Sequence, residues 1–149
     1  MILWSGWFRK VKIIKFRLKF VPKDKRYIKV FVFPNFKTMY KFYELQLEKT
    51  GQTNEYKTDF FGMFQPFEII NFSKSKKGIK NNWTGNLLLC GKRLGVGVVA
   101  HECGHACLHY YSLCKGNMNI KTLQDQEDLL IPLYNLVKEF WNKFYKYNV

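Results

Sequence analysis

Between residues 14 and 20 the chain alternates strictly, with Ile14, Phe16, Leu18 and Phe20 apolar and Lys15, Arg17 and Lys19 cationic. Successive side chains of a strand point to opposite faces, so the pattern predicts a strand with one buried and one solvated face. Val11 and Ile13 fall on the other parity, and the adjacent Ile13-Ile14 pair suggests a bulge. Pro22-Lys23-Asp24-Lys25 supplies a turn, and Tyr27 to Phe33 reads as a second strand, apolar on nearly every residue. The two together predict a hairpin. Pro34-Asn35 then opens a helix, in which Phe36, Tyr40, Tyr43 and Leu47 recur at the spacing of a buried stripe. Gly51 is a fitting C-terminal stop.

Residues 59–72 are rich in aromatic and β-branched side chains and are broken by Gly62 and Pro66. A proline removes a ladder donor, which points to an edge strand or a hairpin corner. Residues 73–82 read as a polar loop rich in Lys, Ser, Gly and Asn, and Leu87 to Cys90 as a short strand. A helix is expected over 94–111 and a second over 126–147, the latter with Leu133, Leu136, Val137, Phe140, Trp141 and Phe144 as core or interface. The order of elements predicts an α+β fold in one domain over 1–149: hairpin and helix in 1–52, strands in 59–90, then the two helices.

With 47% hydrophobic and 18% aromatic residues, the 149-residue chain has ample material for one core, which excludes a wholly disordered protein. Its net charge of +14, from 25 basic and 11 acidic residues, makes nucleic acid or another polyanion a reasonable partner. The basic residues are mostly scattered singly, as on a solvated strand face, and no nucleic-acid-binding motif stands out. No run reaches the ~18 apolar residues of a transmembrane helix. The N-terminal apolar segment lacks a basic region before it and is interrupted by Ser5 and Gly6, so no signal peptide is expected. An intracellular (cytoplasmic) protein follows as the expectation, with virion association also compatible. Cys90, Cys103, Cys107 and Cys114 are then expected to be reduced, the buried ones serving as small packing residues.

The chemistry concentrates in Val98-Val99-Ala100-His101-Glu102-Cys103-Gly104-His105-Ala106-Cys107, which contains HExxH. On an α-helix, residues four apart lie on one face, so both imidazoles can reach one Zn²⁺. Glu102, beside the first ligand, is placed to deprotonate a metal-activated water. The bland alternative is a helix whose two histidines are satisfied by hydrogen bonds. The apolar lead-in and the small, uncharged residues between the histidines favour the metal reading, and this wider pattern resembles the extended signature of zincin metallopeptidases.

A catalytic zinc usually takes three protein ligands. The metzincin pattern would need Gly at 108 and His at 111, where Leu108 and Tyr111 stand, and no His follows His109. His109 is rotated about 80° from His101 on the same helix, which makes it a poor ligand to the same ion. A carboxylate from the next helix remains: Asp125, Glu127 or Asp128. Leu130, Ile131 and Tyr134 follow Glu127 at helical offsets, an apolar stripe expected to face the core, so Glu127 is the preferred third ligand. Its bland reading is a first-turn glutamate complementing the helix dipole. Tyr110, Tyr111 and Tyr134 are near in sequence as oxyanion stabilisers.

Over roughly residues 60–145, HECGHA, its apolar lead-in and Asp125-Gln-Glu-Asp128 before an apolar helix resemble small gluzincin-like proteins of phages and other mobile elements. The resemblance implies a minimal zincin-like fold, a small antiparallel or mixed sheet on the metal helix and a C-terminal helix. It also implies an antiparallel edge strand within 61–72 that aligns an extended peptide by β-addition. The expected function is therefore a zinc-dependent metallopeptidase with a peptide or protein substrate. The alternative is a catalytically silent zincin-fold component of a phage or nucleic-acid-associated assembly.

Overall fold

The computed structural model describes residues 12–50, 61–66 and 82–147, and within them the chain is α+β. In chain order the elements are β1 (Ile14–Lys19), β2 (Tyr27–Phe33), α1 (Phe36–Thr50), β3 (Gly62–Pro66), β4 (Trp83–Cys90), a single 3₁₀ turn (Gly91–Arg93), α2 (Val96–Lys115) and α3 (Leu123–Tyr147). The four strands form one mixed sheet in the order β1-β2-β4-β3. β1 and β2 are antiparallel, as the hairpin reading expected, with Ile14 opposite Val32 and Lys19 opposite Tyr27. β2 and β4 run parallel in the centre, and β3 lies antiparallel to β4 at the edge, with Gly62 opposite Leu89 and Pro66 opposite Gly85. Pro66 is thus the last residue of an edge strand, where its missing N–H breaks no central ladder.

The alternation in β1 turns Ile14, Phe16 and Leu18 to one core and leaves Lys15, Arg17 and Lys19 exposed on the other face. Phe16, Leu18 and Phe20 join Ile28, Val30, Val32, Leu87 and Leu89 beneath α2 and α3. On the opposite face Phe33, Leu88, Cys90 and Met63 pack with Met39, Phe42 and Tyr43 of α1, and Ile13 and Phe31 flank them. Ile13 and Ile14 therefore turn to opposite faces as consecutive residues of an extended chain, each with a core to join, and no bulge is needed. Val11, Gly51 and the segments 51–60 and 67–81 lie outside the described residues.

α1 starts where expected, because the Asn35 side chain accepts a hydrogen bond from the Thr38 N–H at 2.9 Å, the N-cap arrangement that satisfies a free donor of the first turn. Its buried side is Thr38, Met39, Phe42 and Tyr43, with Phe36 and Tyr40 only partly covered. β4 is longer than the four residues expected. Its polar first half is stabilised by Thr84 Oγ1 donating to the Tyr27 carbonyl at 3.0 Å and by Trp83 Nε1 donating to Gly85 O at 2.9 Å. Gly85 is required there, since a Cβ would run into the backbone carbonyl of Gln65 and the Phe64 ring.

α2 buries Val99, Cys103, Ala106, Cys107 and Tyr110 at helical spacing and ends at Gly116, whose φ of 75° is the left-handed conformation that suits glycine. α3 starts at Leu123, earlier than the expected 126. Thr122 Oγ1 accepts from the Asp125 N–H at 3.0 Å, while Asp125 Oδ2 accepts from the Thr122 N–H at 3.0 Å, a reciprocal capping box. Pro132 is consequently interior to α3, and it is buried with Leu136, Phe140 and Phe144. α3 lies along α2 and over β1, so α2 separates it from the edge strand β3. Among the described residues no helix is long and apolar enough to cross a membrane.

Candidate functional site

His101 and His105 lie one turn apart on the flank of α2 that faces β3. Their Nε2 atoms approach to 3.2 Å. Two nitrogens bound to one tetrahedral zinc at ~2.0–2.1 Å would stand roughly 3.3 Å apart, so the pair has the spacing that a shared ion requires. The same distance also suits an imidazole–imidazole hydrogen bond in which one tautomer donates. The donor set distinguishes the two only together with its surroundings.

Those surroundings form a cleft of about 600 Å³, walled by Phe61 to Phe64 and Pro66 on one side and by Gly97, Val98, His101, Glu102, His105 and His109 on the other. The His101 side chain is 69% exposed in it, whereas Glu102 beside it is only 10% exposed, with an oxygen 3.9 Å from His101 Nε2. The helix thus points two nitrogens outward and holds one carboxylate at the rear. Burial raises the Glu102 carboxyl above the usual carboxylate range; His105, His101 and a hydrogen bond from the Phe64 backbone N–H offset this only in part.

The Phe64 contact follows from the register of the edge. Cys90 N–H donates to Phe61 O at 3.2 Å, and hydrogen-bonded pairs alternate along an antiparallel ladder. Residues 61, 63 and 65 therefore bond inward to β4, while the amides of Gly62 and Phe64 face the open edge and the cleft. Gly62 itself lies against Glu102: a Cβ there would sit 2.9 Å from Glu102 Cγ and 2.9 Å from Leu89 Cδ2.

The sequence reading placed a third ligand on the following helix, and the structure does not bring it to the histidines. Asp128 pairs with Lys115 at 2.7 Å, at the far end of α2. Lys115 is ten residues beyond His105, about 15 Å along the axis, and Glu127 is exposed beside that pair. Asp125 is occupied in the capping box. The facing argument for Glu127 misplaced the buried stripe, since Leu130, Ile131 and Tyr134 are 50%, 52% and 68% exposed. The buried stripe runs instead through Pro132, Leu136, Phe140 and Phe144. Among the described residues no group of three or more His, Cys, Asp or Glu side chains is gathered to hold a metal ion. The histidine pair fits a metal of zinc's ligand preference, but it supplies two of the usual three protein ligands.

His109 does line the cleft, with its ring 5.7 Å from that of Phe64. The tyrosines turn elsewhere. Tyr110 donates to Asp24 at 2.7 Å, Tyr111 donates to the Asn119 carbonyl at 2.8 Å, and Tyr134 projects from α3. Cys103 is buried, its thiol pushed up to about 12 by desolvation first and by Glu102 second, so it is a packing group. A Cβ at Gly104 would meet nothing within 4 Å, so close packing does not explain that small residue. All four cysteines are free. The edge strand expected within 61–72 is β3, antiparallel to β4; sequence reasoning did not single out Phe61, Gly62 and the Phe64 amide on it, for which Gly62 inside an aromatic run was the available signal. No family model, no curated protein and no solved structure matches this chain.

Proposed function

We infer that the cleft is the active site of a metal-dependent hydrolase acting on peptide bonds, with His101 and His105 holding zinc and Glu102 as general base. The observation that carries this reading is the joint placement of two nitrogens 3.2 Å apart and one buried carboxylate in one cleft. When bound, the metal would activate a water and polarise the scissile carbonyl. Glu102 takes the proton of the attacking water and returns it to the leaving amine. Among the described residues the outer edge of β3 has no strand partner, which supports an extended peptide as substrate, with main-chain groups of Gly62 available to it.

A second reading, in which the chain holds metal without turnover as a binding component, is favoured by the two-ligand set and by the absence of a tyrosine from the cleft lining among the described residues. One experiment separates them: zinc content and hydrolysis of a broad peptide library for the wild type and Glu102→Gln. Hydrolysis by the wild type, lost in Glu102→Gln with zinc retained, supports the hydrolase. Zinc bound with no turnover by the wild type supports the binding component, and no zinc in the wild type overturns both.

A further inference from the structure

On the α1 side of the sheet, the strand residues that point away from the larger core form a pattern that hydrolysis does not use. Lys15, Arg17 and Lys19 of β1 are exposed, and their direct partners on β2 are Phe31, Lys29 and Tyr27; Tyr27 in turn pairs with Trp83 of β4. Cations and rings therefore interleave. The Arg17 guanidinium lies 4.6 Å from the Tyr27 ring, Lys29 Nζ 4.1 Å from the Trp83 ring and Lys15 Nζ 6.0 Å from Phe31. The indole of Trp83 is held by its hydrogen bonds to Gly85 O and to Asn86 Oδ1, at 2.9 and 3.2 Å. The apolar contacts of α1 fall at the other end of the strands, around Phe33, Leu88 and Cys90.

We propose that this face, centred on Arg17, Lys29, Tyr27 and Trp83, binds single-stranded nucleic acid. The charge is unbalanced: none of the four strands contains an Asp or Glu. Among the described residues, none of the four cations makes an ion pair with a carboxylate. Arg17 and Lys29 are directly opposite on neighbouring strands, a like-charge placement that costs stability. Burial and the nearby Arg17 both hold Lys29 below the usual lysine range, and no carboxylate among the described residues pairs with it. A polyanion offsets the repulsion. Lys15, Arg17 and Lys19 follow one another at every second residue, about 7 Å apart, so an extended phosphate backbone can meet them in order. The rings between them offer the stacking surface that single-strand binders use.

The test is fluorescence anisotropy of a labelled single-stranded oligothymidylate with the full chain, across a salt series. The R17Q/K29Q variant removes two charges from this face, and K138Q/K146Q removes two from α3, which packs on the opposite side of the sheet. The expected result is at least a ~10-fold loss of affinity in R17Q/K29Q, a salt slope lower by about 1.4, and less than a ~3-fold change in K138Q/K146Q. Circular dichroism melting checks the fold, and K15Q/K19Q, at exposed positions, gives the same expected loss should R17Q/K29Q not fold. Equal losses in the two variants would show diffuse charge and overturn the proposal. So would unchanged binding in R17Q/K29Q, or tighter binding of the wild type to phosphatidylserine vesicles than to the oligonucleotide.

Discussion

Gly62 of the edge strand and Glu102 of α2 are in contact with no room for a methyl group between them, since a Cβ at 62 would lie 2.9 Å from Glu102 Cγ. Gly62→Ala must displace Glu102, Leu89 or the strand. We expect a loss of about 1–3 kcal/mol in stability, as for other overpacked sites. Peptide hydrolysis should fall while zinc content stays within error of the wild type, because the added methyl meets Glu102 and Leu89 and not the histidines. Denaturant unfolding, elemental analysis and the hydrolysis assay check the three parts, and loss of zinc in this variant would refute the placement of the carboxylate behind the metal.

Zinc retention should depend on His101 and His105 and not on Glu127. His105→Ala is expected to bring the metal stoichiometry close to zero after dialysis, whereas Glu127→Ala should leave it unchanged. A zinc-depleted Glu127→Ala protein would mean that the start of α3 reaches the histidines in the metal-bound state.

The capping box at the start of α3 joins Thr122 and Asp125 reciprocally. Thr122→Ala removes the side-chain acceptor of the Asp125 N–H and should cost about 1 kcal/mol in chemical denaturation. Hydrolysis should not change, since this end of α3 lies beyond Lys115. An unaltered unfolding midpoint would show that the cap is dispensable.

Asp24 ties the β1–β2 turn to α2 by accepting hydrogen bonds from Tyr110 at 2.7 Å and from the Arg26 N–H at 3.0 Å. Burial raises its carboxyl, but these bonds and the Arg26 guanidinium outweigh burial and hold it below the usual aspartate range. Lowered in the folded state, it adds stability that is present above the unfolded value of about 3.9 and is lost as pH falls through the folded value. Wild type should therefore exceed Asp24→Asn in stability at neutral pH, and the gap should narrow below about pH 4. A gap of constant size across an acid titration of the melting temperature would refute this.

Much of the fold was legible in local pattern. The Lys/Arg alternation of β1, the Pro22 turn and the apolar β2 predict the hairpin, and Asn35 marks the start of α1. The first half of β4 was not, because Trp83-Thr-Gly-Asn86 has loop composition and becomes strand only through partners fifty or more residues away in β2. The shared helical face of His101 and His105, with Glu102 beside it, was legible because it depends only on helical spacing. The placement of Glu127 was not. The expected start at 126 lay past the Thr122–Asp125 cap, and α2 runs on to Lys115, which carries the acidic segment past the histidines.

β3 is five residues long and, among the described residues, has a strand neighbour on one side only. Its release needs few backbone bonds broken, far fewer than unfolding of the central β2–β4 pair, so it belongs to the segments of a protein that open locally. Glu102 would lose its amide partner and its cover in that event while α2 and the larger core stayed intact. The cleft can therefore be assembled and dismantled on its own timescale, and amide hydrogen exchange should be faster at 62–65 than at 86–89.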